Sequence, residues 1–104
     1  MPPGPFPRKK RRLLIEYIDS TGERQTAFTR DFSMTGFYVL AEAMPAVGTV
    51  QEMKLHLPRG VISIPARVVR IGRGTSAVEG SATKGFAVAI SGHCEGYTKL
   101  VETL

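Results

Sequence analysis

Between Gln51 and Leu57 the chain alternates without a break: Met53, Leu55 and Leu57 are apolar, while Lys54 and His56 are polar. A two-residue period sends alternate side chains to opposite faces, so this run predicts a strand with one buried face. The same pattern recurs in short runs, each closed by turn residues. Leu13 to Asp19 sets Ile15 and Tyr17 on one face and Glu16 on the other. Ser20-Thr21-Gly22-Glu23 then signals a hairpin, and Arg24 to Phe32 returns with Phe28 and Phe32 in phase. Phe37 to Leu40 has little polar relief, which predicts a short strand covered on both faces.

Pro58-Arg59-Gly60 turns the chain into a long strand, Val61 to Ile71, that changes phase. Ile62, Ile64, Ala66 and Val68 share one face, then Val69 and Ile71 take over while Arg70 faces out. A period of two switches face only through an extra residue, which predicts a β-bulge near Val68-Val69. Pro65 has no N–H for a ladder and assigns its half of the strand to an edge. Gly72 to Lys84 lacks apolar periodicity and predicts a disordered loop. Gly85 to Ile90 is the last strand. Tyr97, Leu100, Val101 and Leu104 then fall at i, i+3, i+4 and i+7, one stripe of a short helix over about 94–104 that can cover an opening in the sheet. Six short antiparallel strands with a closing helix predict a mainly all-β fold, a small barrel over residues 13–90.

At 104 residues, 42% hydrophobic and 22% charged, the chain predicts one globular domain. Residues 1–7 contain four prolines and predict a flexible tail. No apolar run reaches the length of a membrane span, and Glu16 and Asp19 interrupt any signal-like segment, so no membrane insertion is expected. A single cysteine, Cys94, excludes an intrachain disulfide and suits a cytoplasmic setting. His93-Cys94 has too few partners for a zinc site, and no triad, carboxylate pair or phosphate-binding loop is present. A metal, a cofactor and enzymatic activity are therefore not expected.

Charge is not spread evenly. The chain has 14 Lys and Arg against 9 Asp and Glu, and five of the cations form the run Arg8-Lys9-Lys10-Arg11-Arg12. Without that run 9 cations face 9 acids, so the whole net charge of +5 sits in one short arm. A charge so localised implies a localised anionic partner. Downstream, Asp31-Phe32-Ser33-Met34-Thr35-Gly36 places a carboxylate and a hydroxyl two residues apart, where they can face one object. That pair suits the N–H donors of a guanine edge. Gly36 allows either a positive φ or the close approach of a ligand.

Arg8-x-x-x-Arg12 followed by Asp31-x-Ser33-x-x-Gly36 resembles the PilZ domain. Ala66-Arg67-Val68-Val69-Arg70 is similar to that family's fifth-strand pattern, and Gly85-Phe86-Ala87-Val88 to its last strand, with Ala87 in place of a second glycine. The resemblance implies a PilZ domain over 8–104, a six-stranded antiparallel β-barrel with its basic arm 8–12 and closing helix, that binds cyclic di-GMP and changes its surface for a protein effector in motility, pilus or exopolysaccharide control. By it, Arg8 and Arg12 grip guanine edges and phosphates, Asp31 and Ser33 hold a guanine, and Gly36 permits close packing. Lys9, Lys10 and Arg11 add to the field. The arm is expected to fold onto the barrel only when ligand draws it there. Pro7 stands where the family sets ligand stoichiometry, which the sequence leaves open, as it does the oligomeric state.

Plainer readings stand beside these. A basic run is most often a solvated tail, and Asp and Ser in such spacing often form a turn that satisfies its own backbone. Arg67 and Arg70 read as surface charge. One alternative function is a PilZ-like adaptor that binds a protein and no nucleotide. Another is a basic-arm nucleic-acid barrel, which is disfavoured because the strands offer no clear exposed aromatic platform; Tyr38 and Tyr97 read as packed.

Overall fold

The computed structural model describes residues 9–72 and 84–104. In chain order the elements are β1 (Lys9–Lys10), β2 (Leu14–Ile18), β3 (Arg24–Phe32), β4 (Gly36–Leu40), β5 (Val50–Leu57), β6 (Gly60–Gly72), β7 (Gly85–Ile90) and α1 (Glu95–Thr103). The strands run β3-β2-β5-β6-β7-β4, all antiparallel, and β4 pairs back with β3. Six strands thus close on themselves, the barrel expected from the strand pattern. The expected tail at 1–7, Arg8, and most of the loop expected at 72–84 lie outside the described residues.

Inside, Ile15, Tyr17, Met53, Leu55, Phe86 and Val88 pack in one core with Phe32, Phe37 and Val39. The C-terminal stripe behaves as its spacing requires. Tyr97 and Val101 are buried, and Leu100 and Leu104 pack against the core at its edge, so α1 closes an open end of the barrel. The Tyr97 ring sits 6.2 Å from Phe32 and 5.9 Å from Phe37. The Pro65 edge is also found: β7 pairs with β6 only from Ala66 onward, leaving Gly60 to Pro65 partnered by β5 alone.

Two bulges set the face of the exposed side chains. One lies between Val68 and Arg70, as expected, but Val69 and Ile71 beyond it remain 44% and 38% exposed and do not take over the core face. The second, between Thr29 and Asp31, is not visible in the apolar pattern. Its extra residue shifts the phase of β3, so Phe32 is fully buried while Phe28 is 46% exposed on the outer wall. The two phenylalanines do not share a face.

From Lys9 onward the basic arm lies beside β3: Lys9 pairs with Phe32 and Lys10 with Asp31. Residues 9–18 run along one side of β3 with an interruption at 11–13. The buried Thr29 hydroxyl fills that gap, donating to the Arg11 carbonyl at 2.8 Å and accepting from the Leu13 amide at 2.9 Å. These bonds satisfy backbone groups that the break leaves out of the ladder.

Candidate ligand-binding wall

The β3 strand turns Phe28 and Arg30 outward, and the bulge then brings Asp31 opposite Tyr38 on β4. Arg30 donates from Nε to Asp31 Oδ2 at 2.7 Å, and its guanidinium carbon lies 4.2 Å from the Tyr38 ring centroid. Tyr38 is packed, as expected, but beneath an arginine. Gly72 makes room for it, since a Cβ there would overlap the Tyr38 hydroxyl. Beside this cluster is a hollow of about 330 Å³, with Arg30 and Arg70 among its walls and the small residues Gly36, Ala87 and Ala89 along it. Arg12 sits over Phe28, its guanidinium carbon 5.6 Å from the ring centroid. Two cations are therefore held on aromatic faces of this wall, one of them paired with the Asp31 carboxylate.

The second half of the Asp31-x-Ser33-x-x-Gly36 motif lies beyond the strand, in the turn into β4. Ser33 is fully buried just past the end of β3, and its hydroxyl lies 3.3 Å from both the Gly36 carbonyl and the Thr35 amide. It builds the turn; it does not stand on one strand face with Asp31. Gly36 has no positive φ; among the described residues the glycines that do are Gly22, Gly48, Gly60 and Gly92. Its missing Cβ serves close packing instead, because a methyl there would overlap the Val88 carbonyl of β7. The Tyr97 hydroxyl of α1 lies 2.7 Å from the carbonyl oxygens of both Ser33 and Gly36 and ties the helix to this turn.

Of the arm, Lys9 donates from Nζ to the Val101 carbonyl at 2.8 Å, in the last turn of α1, where a cation complements the helix dipole. Lys10, Arg11 and Arg12 are exposed. The structure thus brings Arg12, Asp31, Ser33 and Gly36 to one region. Arg30, Tyr38 and Phe28 were not assigned roles by sequence reasoning. Arg30 adjoins Asp31, a signal that could have marked it, whereas Phe28 depends on a bulge with no signature. Arg70 is exposed as expected and also lines the hollow.

A different pattern covers the β2–β5 wall. Glu16 accepts from His56 and from Arg24 at 3.5 Å, with Lys54 in register across the ladder. The His56 hydrogen bond, followed by the charges of His56, Arg24 and Lys54, holds the Glu16 carboxyl below its ordinary pKa. In the adjoining turn Asp19 accepts from Thr21, Glu23 and Gln25, and these bonds, that of the Thr21 side chain foremost, lower its pKa to about 2. Burial raises the Tyr17 phenol pKa, with Asp19 adding to it. Cys94 is the residue preceding α1, and no cluster of metal-ligating side chains occurs among the described residues.

The fold has solved counterparts. The PilZ domain of YcgR from Escherichia coli, determined with c-di-GMP, aligns with a TM-score of 0.74 at 12% identity over 97% of this chain and 87% of that one. A longer YcgR structure from Escherichia coli, also in complex with c-di-GMP, gives 0.71 at 9% identity, covering 97% of this chain and 43% of that one. The Bacillus subtilis inhibitor of motility, MotI/DgrA, gives 0.70 at 17% identity, covering 99% and 49%. The chain thus spans less than half the length of those last two proteins. No curated protein matches it significantly. A family model does: that of the PilZ domain matches residues 6–90, a span holding the arginine arm and the Asp31-x-Ser33-x-x-Gly36 turn, and the chain belongs to the PilZ domain family.

Proposed function

We propose that this chain is a binding module that takes cyclic di-GMP on the β3–β4 wall and signals its presence to a protein effector. The observation that carries the reading is the Arg30–Asp31–Tyr38 cluster, with Arg12 over Phe28 two residues back along β3. A carboxylate can accept from the two N–H donors on a guanine edge, while guanidinium forks suit guanine O6 and N7 or a phosphate. In this reading Asp31 holds a guanine, and Arg8 and Arg12 grip phosphate and base. Ser33 and Gly36 act by holding the turn that fixes Asp31, and Lys9, Lys10 and Arg11 supply field. Family membership and neighbours solved with c-di-GMP support the ligand. The neighbour named as an inhibitor of motility supports motility control as the pathway.

Calorimetric titration with cyclic di-GMP, with GMP as control, tests this. Saturable binding is expected, weakening as salt rises because cations meet a dianion. Arg12→Ala and Asp31→Ala each remove about 1–3 kcal/mol, roughly 5- to 150-fold in affinity, in a barrel that stays folded. Unchanged affinity in either folded variant sinks the site assignment. Absence of binding by the unaltered protein favours the nucleotide-free adaptor.

A further inference from the structure

We propose that Phe28 is a base-stacking residue: one guanine of the ligand lies on its exposed ring, with Arg12 closing over the base. This rests on the cyclic di-GMP reading and adds a recognition element outside both sequence motifs. Phe28 is 46% exposed on the outer wall of β3, the largest apolar ring left open to solvent there. Arg12 is held to that spot by its backbone. The Thr29 hydroxyl bonds the residues on either side of Arg12, to the carbonyl of Arg11 and the amide of Leu13, so the guanidinium stands over the ring at 5.6 Å.

Phe28 also borders a cleft of about 420 Å³, with Leu14, Ala27 and Leu40 in its walls and Lys84, paired with Glu42 at 4.0 Å, at its rim. An aromatic face with the Arg12 guanidinium beside it fits a purine that carries phosphate, because the base stacks while the charge meets the anion. Phe28 and Arg30 lie on the same face of β3, roughly 7 Å apart along the strand. A ligand with two purines can therefore engage Asp31 with one base and Phe28 with the other.

The chain has no tryptophan, so Phe28→Trp introduces a sole indole reporter. The expected result is that Phe28→Trp retains affinity and that its emission is quenched on titration with cyclic di-GMP. Phe28→Ala, with thermal unfolding checked in parallel, is expected to bind about 5- to 150-fold more weakly, and Phe28→Tyr to bind as the unaltered protein does. Wild-type affinity in Phe28→Ala, or unchanged indole emission at saturation, overturns the stacking role while leaving the ligand reading intact. If the unaltered protein gives no heat with cyclic di-GMP, both readings fall together.

Discussion

Two walls of this barrel hold their cations differently. On the β2–β5 wall Arg24 and His56 are spent on Glu16, with Lys54 alongside. On the β3–β4 wall Arg12 and Arg30 lie over Phe28 and Tyr38, and Arg30 alone of the two is paired with Asp31. The Arg12 guanidinium over the exposed Phe28 ring is held by about 0.5–1 kcal/mol, and its charge remains available to an anion. A cation already paired with a carboxylate has that charge compensated. The lesson is that a basic barrel surface is not uniform: on the reading proposed above, the wall that backs Arg12 with an aromatic ring is the one that receives the dianion.

The comparison breaks most completely where the binding wall leans on its neighbours. Gly36→Ala pushes a methyl into the Val88 carbonyl and is expected to cost about 3 kcal/mol or more, which a denaturant titration will show as a large fall in midpoint. A variant as stable as the parent would mean that β4 and β7 can part without loss. Tyr97→Phe removes the hydroxyl shared by the Ser33 and Gly36 carbonyls, and about 1–3 kcal/mol of stability with it. If the turn positions Asp31, ligand affinity falls in the same variant, and retained affinity would separate the turn from the site.

The smallest effect belongs to the β2–β5 wall. Glu16 has a lowered folded-state pKa, so its contribution to stability is present above its ordinary value of 4.5 and is lost as pH falls through the depressed value. Glu16→Gln should therefore show a shallower loss of thermal midpoint on acidification than the parent. Its affinity for cyclic di-GMP should not change. A Glu16→Gln protein with weakened binding would erase the distinction between the walls.

Much of this was legible in the chain. Alternation placed Met53 and Leu55 inside, Pro65 marked the half-strand that β7 does not pair, and the 3.6-residue stripe through Tyr97 and Val101 located the closing helix. The phase change near Val68 was legible as a bulge, but not where Val69 and Ile71 would point, because pattern shows that a phase breaks and not which face wins. In the site, the arginine arm and Asp31 stood out by charge and spacing. The inward turn of Ser33 did not, since a serine two residues from an aspartate shares its face only while the strand continues, and β3 ends at Phe32.

Residue order alone determined the strand periods, the closing helix and the concentration of positive charge in one arm, because these depend on local spacing and composition. Only the tertiary structure decided that Phe28 faces solvent under Arg12, that Arg30 lies across Tyr38, and that Gly36 yields its Cβ space to β7. Each of these depends on a register shift or a strand neighbour distant in sequence. A one-residue bulge reverses every side chain beyond it, and no local pattern records where the partner strand will sit.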